Sequence, residues 1–326
     1  MIKGLVSIII PIYNGKKWLK NAVNSALSQT YTNVEVILID DGSTDDSWSI
    51  CKEIAIDERV HVYRKMNEGV PSARNVGLDI AQGEYVQFLD CDDTLEEKAC
   101  ATAVEAMKQN TDIVLYGFNI YKNGELLRNP HCSRISYHGE FEKFKIVSQL
   151  LDSACNKLYR RNYIKKKFRE GVVYGEDSIF NYDNLTNETK IECIDDCLYN
   201  VVLDNPVSVN KRYKKGRLCD TVVLVKTQLE KSLLLFGVDR NVDEYLPNSA
   251  KTLAFTVIFC ASMSTYKDFS DELNFIQKEG YSNIFRILYK SDNIRLQHKM
   301  ILFVAAHKSY KPLLYTISHL YKKFRF

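Results

Sequence analysis

The 326-residue sequence has no marked excess of one charge and no apolar run long enough to cross a bilayer. Its 44 basic and 41 acidic residues leave a formal net charge of +3, which gives no indication of a nucleic-acid-binding protein. The longest apolar stretches, 253–263 and 300–306, fall well short of the roughly 20 residues that a membrane-spanning helix needs. No signal peptide is indicated, because Pro11 ends the first apolar run and no small-residue cleavage site follows it. These absences predict a cytoplasmic protein that does not cross a membrane.

The nine cysteines form no pattern typical of a disulfide framework or a zinc site. Their number is odd, and a chain of this length buries enough apolar surface to fold without cross-links. No pair has C-x-x-C spacing, and Cys193 and Cys197 lie four residues apart without a further Cys or His pair nearby. We therefore expect reduced cysteines, as in most cytosolic proteins.

Both glycine-rich phosphate-binding loops are missing. A G-x-G-x-x-G loop after the first strand is excluded, because Gly15 is the only glycine between Ile10 and Gln29, and no G-x-x-x-x-G-K-[ST] motif occurs anywhere. If the protein binds a nucleotide, its phosphates are therefore held by a metal ion on acidic side chains, with help from basic ones.

The first 120 residues do contain a regular alternation of strand-like and helix-like patterns. Five apolar, β-branched runs predict strands at 5–10, 34–39, 60–63, 85–89 and 113–118. Helical periodicity between them predicts helices at 16–29, after Ser43 or Thr44, at 72–81 and at 95–109. Such an order indicates βαβ units and a mostly parallel sheet flanked by helices.

The rest of the chain follows a different pattern. Asn123-Gly124 predicts a hairpin, and the segments 221–236, 246–266 and 283–303 are helical in pattern. We place a boundary near residue 216, which predicts an α/β domain over 1–215 and a mainly helical region over 216–326.

Polar residues cluster where predicted strands end, and ligands bind at the carboxyl ends of strands in parallel sheets. The densest cluster is Asp90-Cys91-Asp92-Asp93. Its three carboxylates repel one another unless a cation is present, and carboxylates are the ligands that Mg²⁺ and Mn²⁺ prefer. Capping of the helix predicted from Leu95 explains one of these acids equally well, so both interpretations stay open.

A second cluster, Asp40-Asp41-Gly42-Ser43, follows the second predicted strand. It can form a turn in which Ser43 caps the next helix, or it can supply a carboxylate that accepts hydrogen bonds from a base or ribose. Tyr13 can stack on a planar base or simply pack as an aromatic side chain.

Five segments, taken together and in order, resemble family 2 glycosyltransferases. They are VSIIIPIYN at 6–14, SALSQTY at 25–31, VILIDDGSTD at 36–45, NEGVPSARNVG at 67–77 and FLDCDD at 88–93. The resemblance implies a GT-A (Rossmann-like) fold with a nucleotide-sugar half over 1–120 and an acceptor half over 121–215. It also implies a UDP-sugar or related donor, Mn²⁺ or Mg²⁺ as cofactor, and inversion at the anomeric carbon.

The resemblance further implies roles for individual residues. The positions that bind the nucleotide are Pro11, Tyr13, Asp41, Arg74 and Asp90. Asp90 and Asp92 form the D-x-D motif, with the metal on Asp92 or Asp93. Asn156-Lys157-Leu158-Tyr159 is similar to a family segment near the acceptor.

Gly175-Glu176-Asp177-Ser178 resembles the later E-D motif of the family, which implies that Asp177, with Glu176 beside it, is the general base. Alternatively, both acids complement a helix N-terminus. In the basic loop 211–217, Arg212 and Arg217 are candidates for diphosphate binding, and a solvated surface loop is the alternative.

The Q-x-x-R-W motif of processive relatives is absent, since the only tryptophans are Trp18 and Trp48. We therefore expect a non-processive enzyme whose acceptor is a hydroxyl of a glycan or lipid-linked saccharide, as in capsule or O-antigen synthesis. The aromatic and basic segment 321–326 suits a peripheral membrane contact, or it ends a plain helical core. A non-catalytic nucleotide-sugar-binding protein and, less favoured, a sugar-phosphate nucleotidyltransferase are the alternative functions.

Overall fold

The computed structural model describes residues 1–129, 133–204, 213–236, 242–279, 281, 284–286, 288, 294–307, 311–312, 314–316 and 318. Contacts within the chain form two compact units, one of residues 1–171 and 183–206 and one of residues 172–182 and 207–326. The domain division at 215/216 stays a prediction. The contacts do place the short segment 172–182, which carries Glu176 and Asp177, in the unit that contains the C-terminal helices.

The first unit is built on a sheet of ten strands among the described residues. The strands are β1 (Ile2–Ile12), β2 (Val34–Asp41), β3 (Val60–Lys65), β4 (Gly83–Phe88), β5 (Thr94–Leu95), β6 (Ile113–Lys122), β7 (Glu125–Arg128), β8 (Ile135–Tyr137), β9 (Lys157–Arg160) and β10 (Ile191–Val202). Its helices are α1 (Leu19–Leu27), α2 (Ser47–Ile54), α3 (Val70–Ile80), α4 (Ala99–Ala106) and α5 (Phe141–Ser148). Helix α6 (Glu176–Asn184) lies in the second unit up to Tyr182.

The strand order is β3-β2-β1-β4-β9-β6-β10-β5, with β7 beside β6 and β8 beside β10. β1 pairs in parallel with β2 and β4, and β2 pairs in parallel with β3. β9 lies antiparallel between β4 and β6, so the sheet is parallel in the half formed by β1–β4 and mixed in the other half. The continuous apolar runs of β1 and β2 are buried, as expected for strands covered on both faces.

The five predicted strands and the α/β alternation are confirmed, and Asn123-Gly124 forms the predicted hairpin with φ of 51° and 80°. The helix predicted from Leu95 is wrong at its start. Thr94 and Leu95 instead pair with β10, and α4 begins at Ala99.

The second unit contains the helices α7 (Arg217–Phe236), α8 (Val242–Met263), α9 (Tyr266–Lys278) and α10 (Leu296–Ala306). Their core includes Leu218, Val225, Val257, Phe269 and Leu302, all fully buried. α7 and α8 match two predicted helices, whereas α9 was not predicted. Among the described helices, none combines the length and apolar character needed to span a bilayer. The predicted membrane-contact segment 321–326 lies outside the described residues.

Candidate functional site

The loops that follow β1 and β2 are fastened to each other by hydrogen bonds around Asn14. Its backbone N–H donates to Ser43 Oγ at 3.0 Å, and its Oδ1 accepts from the backbone N–H of Thr44 at 2.8 Å. The next residue, Gly15, donates its N–H to Ser47 Oγ at 2.9 Å. Ser43 therefore joins two loops and does not cap α2, which begins at Ser47 without a side-chain cap. The predicted cap is wrong at this position.

The acidic cluster Asp90-Cys91-Asp92-Asp93 packs against the same loops. A Cβ atom placed on Gly15 would lie 2.9 Å from Cys91 Sγ, so the β1 loop approaches the loop after β4 closely and a larger residue would have to displace Cys91. Burial, with the carboxylates of Asp92 and Asp90 next, raises the pKa of the Cys91 thiol. The middle residue of the acidic cluster is thus a neutral packing group. The loop of Asn14 and Gly15 and the two polar clusters, all distant in sequence, thus meet at the carboxyl ends of β1, β2 and β4.

Pro11 and Tyr13 lie at the end of β1 with opposite exposures. Pro11 is buried in the strand, whereas Tyr13 is 50% exposed. An exposed aromatic ring beside a strand end can stack on a planar base. Tyr13 is therefore available for the base-binding role that the resemblance implies.

Asp41 is a buried carboxylate that organises the loop before α3. Its Oδ1 accepts from Lys65 Nζ at 3.0 Å and from the backbone N–H of Glu68 at 3.0 Å, and its Oδ2 accepts from the N–H of Gly69 at 2.7 Å. Asp40, also buried, pairs with Arg64 Nε at 3.0 Å. Asp41 at the end of β2 thus holds the neighbouring loop in place, and any contact of Asp41 with a nucleotide would be added to these bonds.

Arg74 of α3 is 2% exposed. Its guanidinium points to residues 90–93, which we call the acidic turn. Its Nη2 donates to Asp90 Oδ1 at 2.8 Å. The guanidinium lies 5.2 Å from the ring centroid of Phe168 and 5.9 Å from that of Phe88. This packing fixes the cation, so the direct effect of Arg74 is to hold Asp90 in place and to balance its charge.

The acidic turn is closed by a buried tyrosine that the sequence did not single out. Tyr199 of β10 donates its hydroxyl to Asp93 Oδ2 at 2.8 Å, and the same hydroxyl accepts from the backbone N–H of Asp90 at 3.2 Å. Asp93 Oδ1 accepts from the N–H of Val202 at 2.8 Å. Burial, followed by the nearby charges of Asp90 and Asp92, raises the pKa of Asp93. Both oxygens of Asp93 are therefore used within the fold.

The alternative in which these acids cap a helix is wrong, because the residue before α4 is Lys98 and the helix has no side-chain cap. Within the described part of the chain, no three His, Cys, Asp or Glu side chains converge to hold a metal ion. Mg²⁺ needs only one or two carboxylates when phosphate oxygens complete its shell. The partly exposed Asp90 and Asp92 fit such a site, and Asp93 is the acid with the least capacity for it.

The segment with Glu176 and Asp177 lies in the second unit, at the first turn of α6. Both side chains are half-buried. Their position also matches the alternative in which they complement the N-terminus of the helix. Arg217, the first residue of α7, has its guanidinium 4.2 Å from the ring centroid of Tyr174 and 4.4 Å from that of Phe259. Arg212 lies outside the described residues.

The segment Asn156–Tyr159 is buried. Lys157 Nζ donates hydrogen bonds to the carbonyl of Leu150 at 3.0 Å, to Asn156 Oδ1 at 2.7 Å and to the carbonyl of Ser153. These bonds satisfy a buried charge, and the segment supports the sheet.

The fold and the strand-end loops define an α/β protein with a candidate nucleotide site beside an acidic turn. The family model described as Glycosyl transferase family 2 matches residues 7–168. An uncharacterized glycosyltransferase of Haemophilus influenzae (strain KW20) is 36% identical over 192 residues, which are 53% of this chain and 77% of that protein. The chain belongs to glycosyl transferase family 2, as the sequence motifs predicted.

The chain is also similar to the uncharacterized glycosyltransferase EpsJ of Bacillus subtilis (strain 168). The two are 31% identical over 220 residues, 64% of this chain and 63% of EpsJ. The chain thus spans somewhat less than two thirds of the length of this relative. The family match includes Asp41, Arg74 and the acidic turn, and it ends before Glu176 and Asp177.

Among solved structures, residues 1–349 of S. aureus TarS in complex with UDP-GlcNAc match with a TM-score of 0.67 and 20% identity, over 98% of this chain and 92% of that one. At this identity the likeness concerns the fold. It confirms the predicted GT-A architecture, with a sheet flanked by helices and a helical C-terminal region.

Proposed function

We propose that the protein is an inverting, non-processive glycosyltransferase that moves a sugar from a UDP-sugar to a hydroxyl of a glycan or lipid-linked saccharide. The observation that carries this proposal is the ordered acidic turn after β4, which Arg74 and Tyr199 fasten at its first residue. The UDP-GlcNAc bound by TarS supports the choice of donor.

In this proposal Asp90 and Asp92 would hold Mn²⁺ or Mg²⁺, whose positive charge would neutralise the diphosphate leaving group. Arg74 keeps Asp90 in position at 2.8 Å, and the exposed ring of Tyr13 stacks on the base. Asp41 orders the loop of Glu68 and Gly69 beside the nucleotide.

Asp177 is the proposed general base, with Glu176 beside it. Its carboxylate accepts the proton of the acceptor hydroxyl while that oxygen forms a bond to C1 of the sugar. The bond from C1 to the diphosphate oxygen breaks on the opposite face, which inverts the anomeric centre. The diphosphate leaves with the electron pair of that bond.

The acceptor class and the role in surface polysaccharide synthesis, such as capsule or O-antigen, are part of the same proposal. A lipid-linked acceptor places the enzyme at the inner face of the plasma membrane, in peripheral contact through its C-terminal region. The relatives named as glycosyltransferases support sugar transfer, and a screen of saccharide acceptors tests the acceptor class.

The test begins with calorimetric titration of UDP into the protein, with Mn²⁺ and then with EDTA. We expect binding that requires the metal, its loss in Asp92→Asn, and its retention in the control Glu97→Gln, an exposed acid close to the turn. Equal binding in EDTA would contradict the metal site. Absence of UDP binding in both conditions would exclude UDP and direct the search to GDP, dTDP or CMP donors.

Transfer is tested by screening UDP-sugars with saccharide acceptors. We expect Asp177→Asn to lower kcat by about 10²- to 10⁴-fold, as for loss of a general base, while metal-dependent UDP binding persists. Metal-dependent binding without transfer to any saccharide acceptor would instead favour the non-catalytic sugar-nucleotide-binding protein.

A further inference from the structure

The turn that precedes Glu176 and Asp177 is held by one carboxylate of α7. Asp220 Oδ2 accepts from two consecutive backbone N–H groups, that of Val173 at 2.9 Å and that of Tyr174 at 3.2 Å. A carboxylate that binds two adjacent amides fixes the path of the backbone, because both bonds are lost if the turn moves.

Three further contacts join the same turn to α7. The guanidinium of Arg217 lies 4.2 Å from the ring centroid of Tyr174. Gly175 has φ of +75°, and a Cβ atom there would lie 2.8 Å from Leu224 Cδ2. Gln228 Nε2 donates to Ser178 Oγ at 3.3 Å.

The contacting residues Arg217, Asp220, Leu224 and Gln228 are three or four positions apart, so they occupy one face of α7. The start of this helix is itself fixed. The buried Glu272 of α9 accepts from the backbone N–H groups of Gly216 and Leu218, each at 3.0 Å, and from the hydroxyl of Tyr213 at 2.6 Å. The helix therefore presents its face to the turn from a fixed position.

We propose that this face of α7 positions the general base, with Asp220 and Arg217 as positioning residues for Asp177. The inference rests on the proposed function of Asp177. It gives the second unit, which we call the helical unit, a part in the reaction: it holds Glu176 and Asp177 in a reactive orientation. It also assigns Arg217 to the support of this turn, in place of the diphosphate contact expected from the sequence.

The test compares Asp220→Ala with Asp220→Asn, which keeps an acceptor oxygen at the same place. We expect the Ala variant to lower kcat by about 10- to 100-fold, the cost of a misplaced catalytic group, with unchanged KM for the donor. The Asn variant should restore most of the rate. Glu230→Ala, which removes an exposed carboxylate of the same helix, is the matched control and should leave kcat unchanged.

Hydrogen–deuterium exchange supplies a measurement that is independent of turnover. In Asp220→Ala, peptides that cover 172–178 should exchange faster, while peptides from α8 and α9 keep their protection. A wild-type kcat in Asp220→Ala would overturn the inference. Loss of protection throughout the helical unit, without rescue by Asn, would overturn it too, because Asp220 would then only stabilise the fold.

Asp177→Asn separates the two levels of the proposal. If this variant transfers sugar at the wild-type rate, the assignment of the base fails, and the positioning role fails with it. If Asp177→Asn is slow and Asp220→Ala is not, only the positioning role fails.

Discussion

The hydroxyl of Tyr199 lies 2.8 Å from Asp93 Oδ2 and 3.2 Å from the backbone nitrogen of Asp90, so one phenol joins both ends of the acidic turn. Asp93 completes the arrangement by accepting from the N–H of Val202. The last acid of the turn thus serves the fold. The proposed metal site uses the other two acids, Asp90 and Asp92.

Replacement of Tyr199 by phenylalanine should destabilise the first unit, which contains the sheet. The ring stays, but the buried Asp93 Oδ2 loses its hydrogen-bond donor, which costs about 1–3 kcal/mol of unfolding free energy. Urea unfolding measures the change. Tyr63→Phe is the control, because this tyrosine of β3 is 43% exposed. Equal stability of both variants would show that the hydroxyl contributes nothing to the turn.

Arg74→Ala should lower the free energy of unfolding more than Tyr199→Phe does. Arg74 is buried and paired with Asp90, and loss of one partner of a buried ion pair costs about 3–5 kcal/mol. We expect a value near the lower end, because Asp90 is 39% exposed. The control Arg59→Ala breaks a partly exposed pair with Asp57 at 2.8 Å, which is worth about 0–1 kcal/mol. A similar loss in both variants would contradict the structural role of Arg74.

The helical unit should lose stability in mild acid through His298. Burial, followed by the charges of Arg295 and Lys251, lowers the pKa of His298 below its ordinary value of 6.5. As the pH falls through 6.5, the unfolded chain therefore takes up a proton before the folded one, which favours unfolding. Above that pH the histidine is neutral in both states and the effect disappears.

Urea unfolding of wild type and His298→Gln at pH 5.5 and 7.5 measures this contribution. The stability of the variant should depend less on pH over that interval. His138→Gln, which replaces an exposed histidine, should keep the wild-type dependence. An unchanged pH dependence in His298→Gln would exclude this histidine as the source.

The sequence predicted the sheet and the polar clusters at the carboxyl ends of its strands because both depend on local pattern. Apolar runs mark β1 and β2, and polar clusters mark their carboxyl ends. The role of Asp93 could not be predicted, since it depends on Tyr199, which is 106 residues away and whose register in β10 has no local signal. Helix α9 was missed although its sequence has a local signal: Thr265 caps it, and Phe269, Leu273 and Ile276 recur at helical spacing. The contact of its Glu272 with the start of α7 has no such signal.

Two glycines offer a matched pair that isolates the contact between the turn at residue 175 and α7. Gly171 and Gly175 have nearly the same backbone conformation, with φ of +79° and +75°. Alanine at either position carries the same backbone strain, about 1–2 kcal/mol. Gly171 has nothing within 4 Å of an added Cβ, whereas at Gly175 the Cβ would meet Leu224 at 2.8 Å. Any difference between Gly175→Ala and Gly171→Ala therefore reports the packing against α7.

We expect Gly175→Ala to lose more unfolding free energy than Gly171→Ala, because overpacking adds about 1–3 kcal/mol to the shared strain. Its kcat should also fall, since the added methyl group displaces the turn two residues before Asp177. Truncation of the opposing side chain in Gly175→Ala/Leu224→Ala should restore part of the rate, because it makes room for the methyl group. Equal stability and equal kcat in the two single variants would contradict the close approach of the turn to α7.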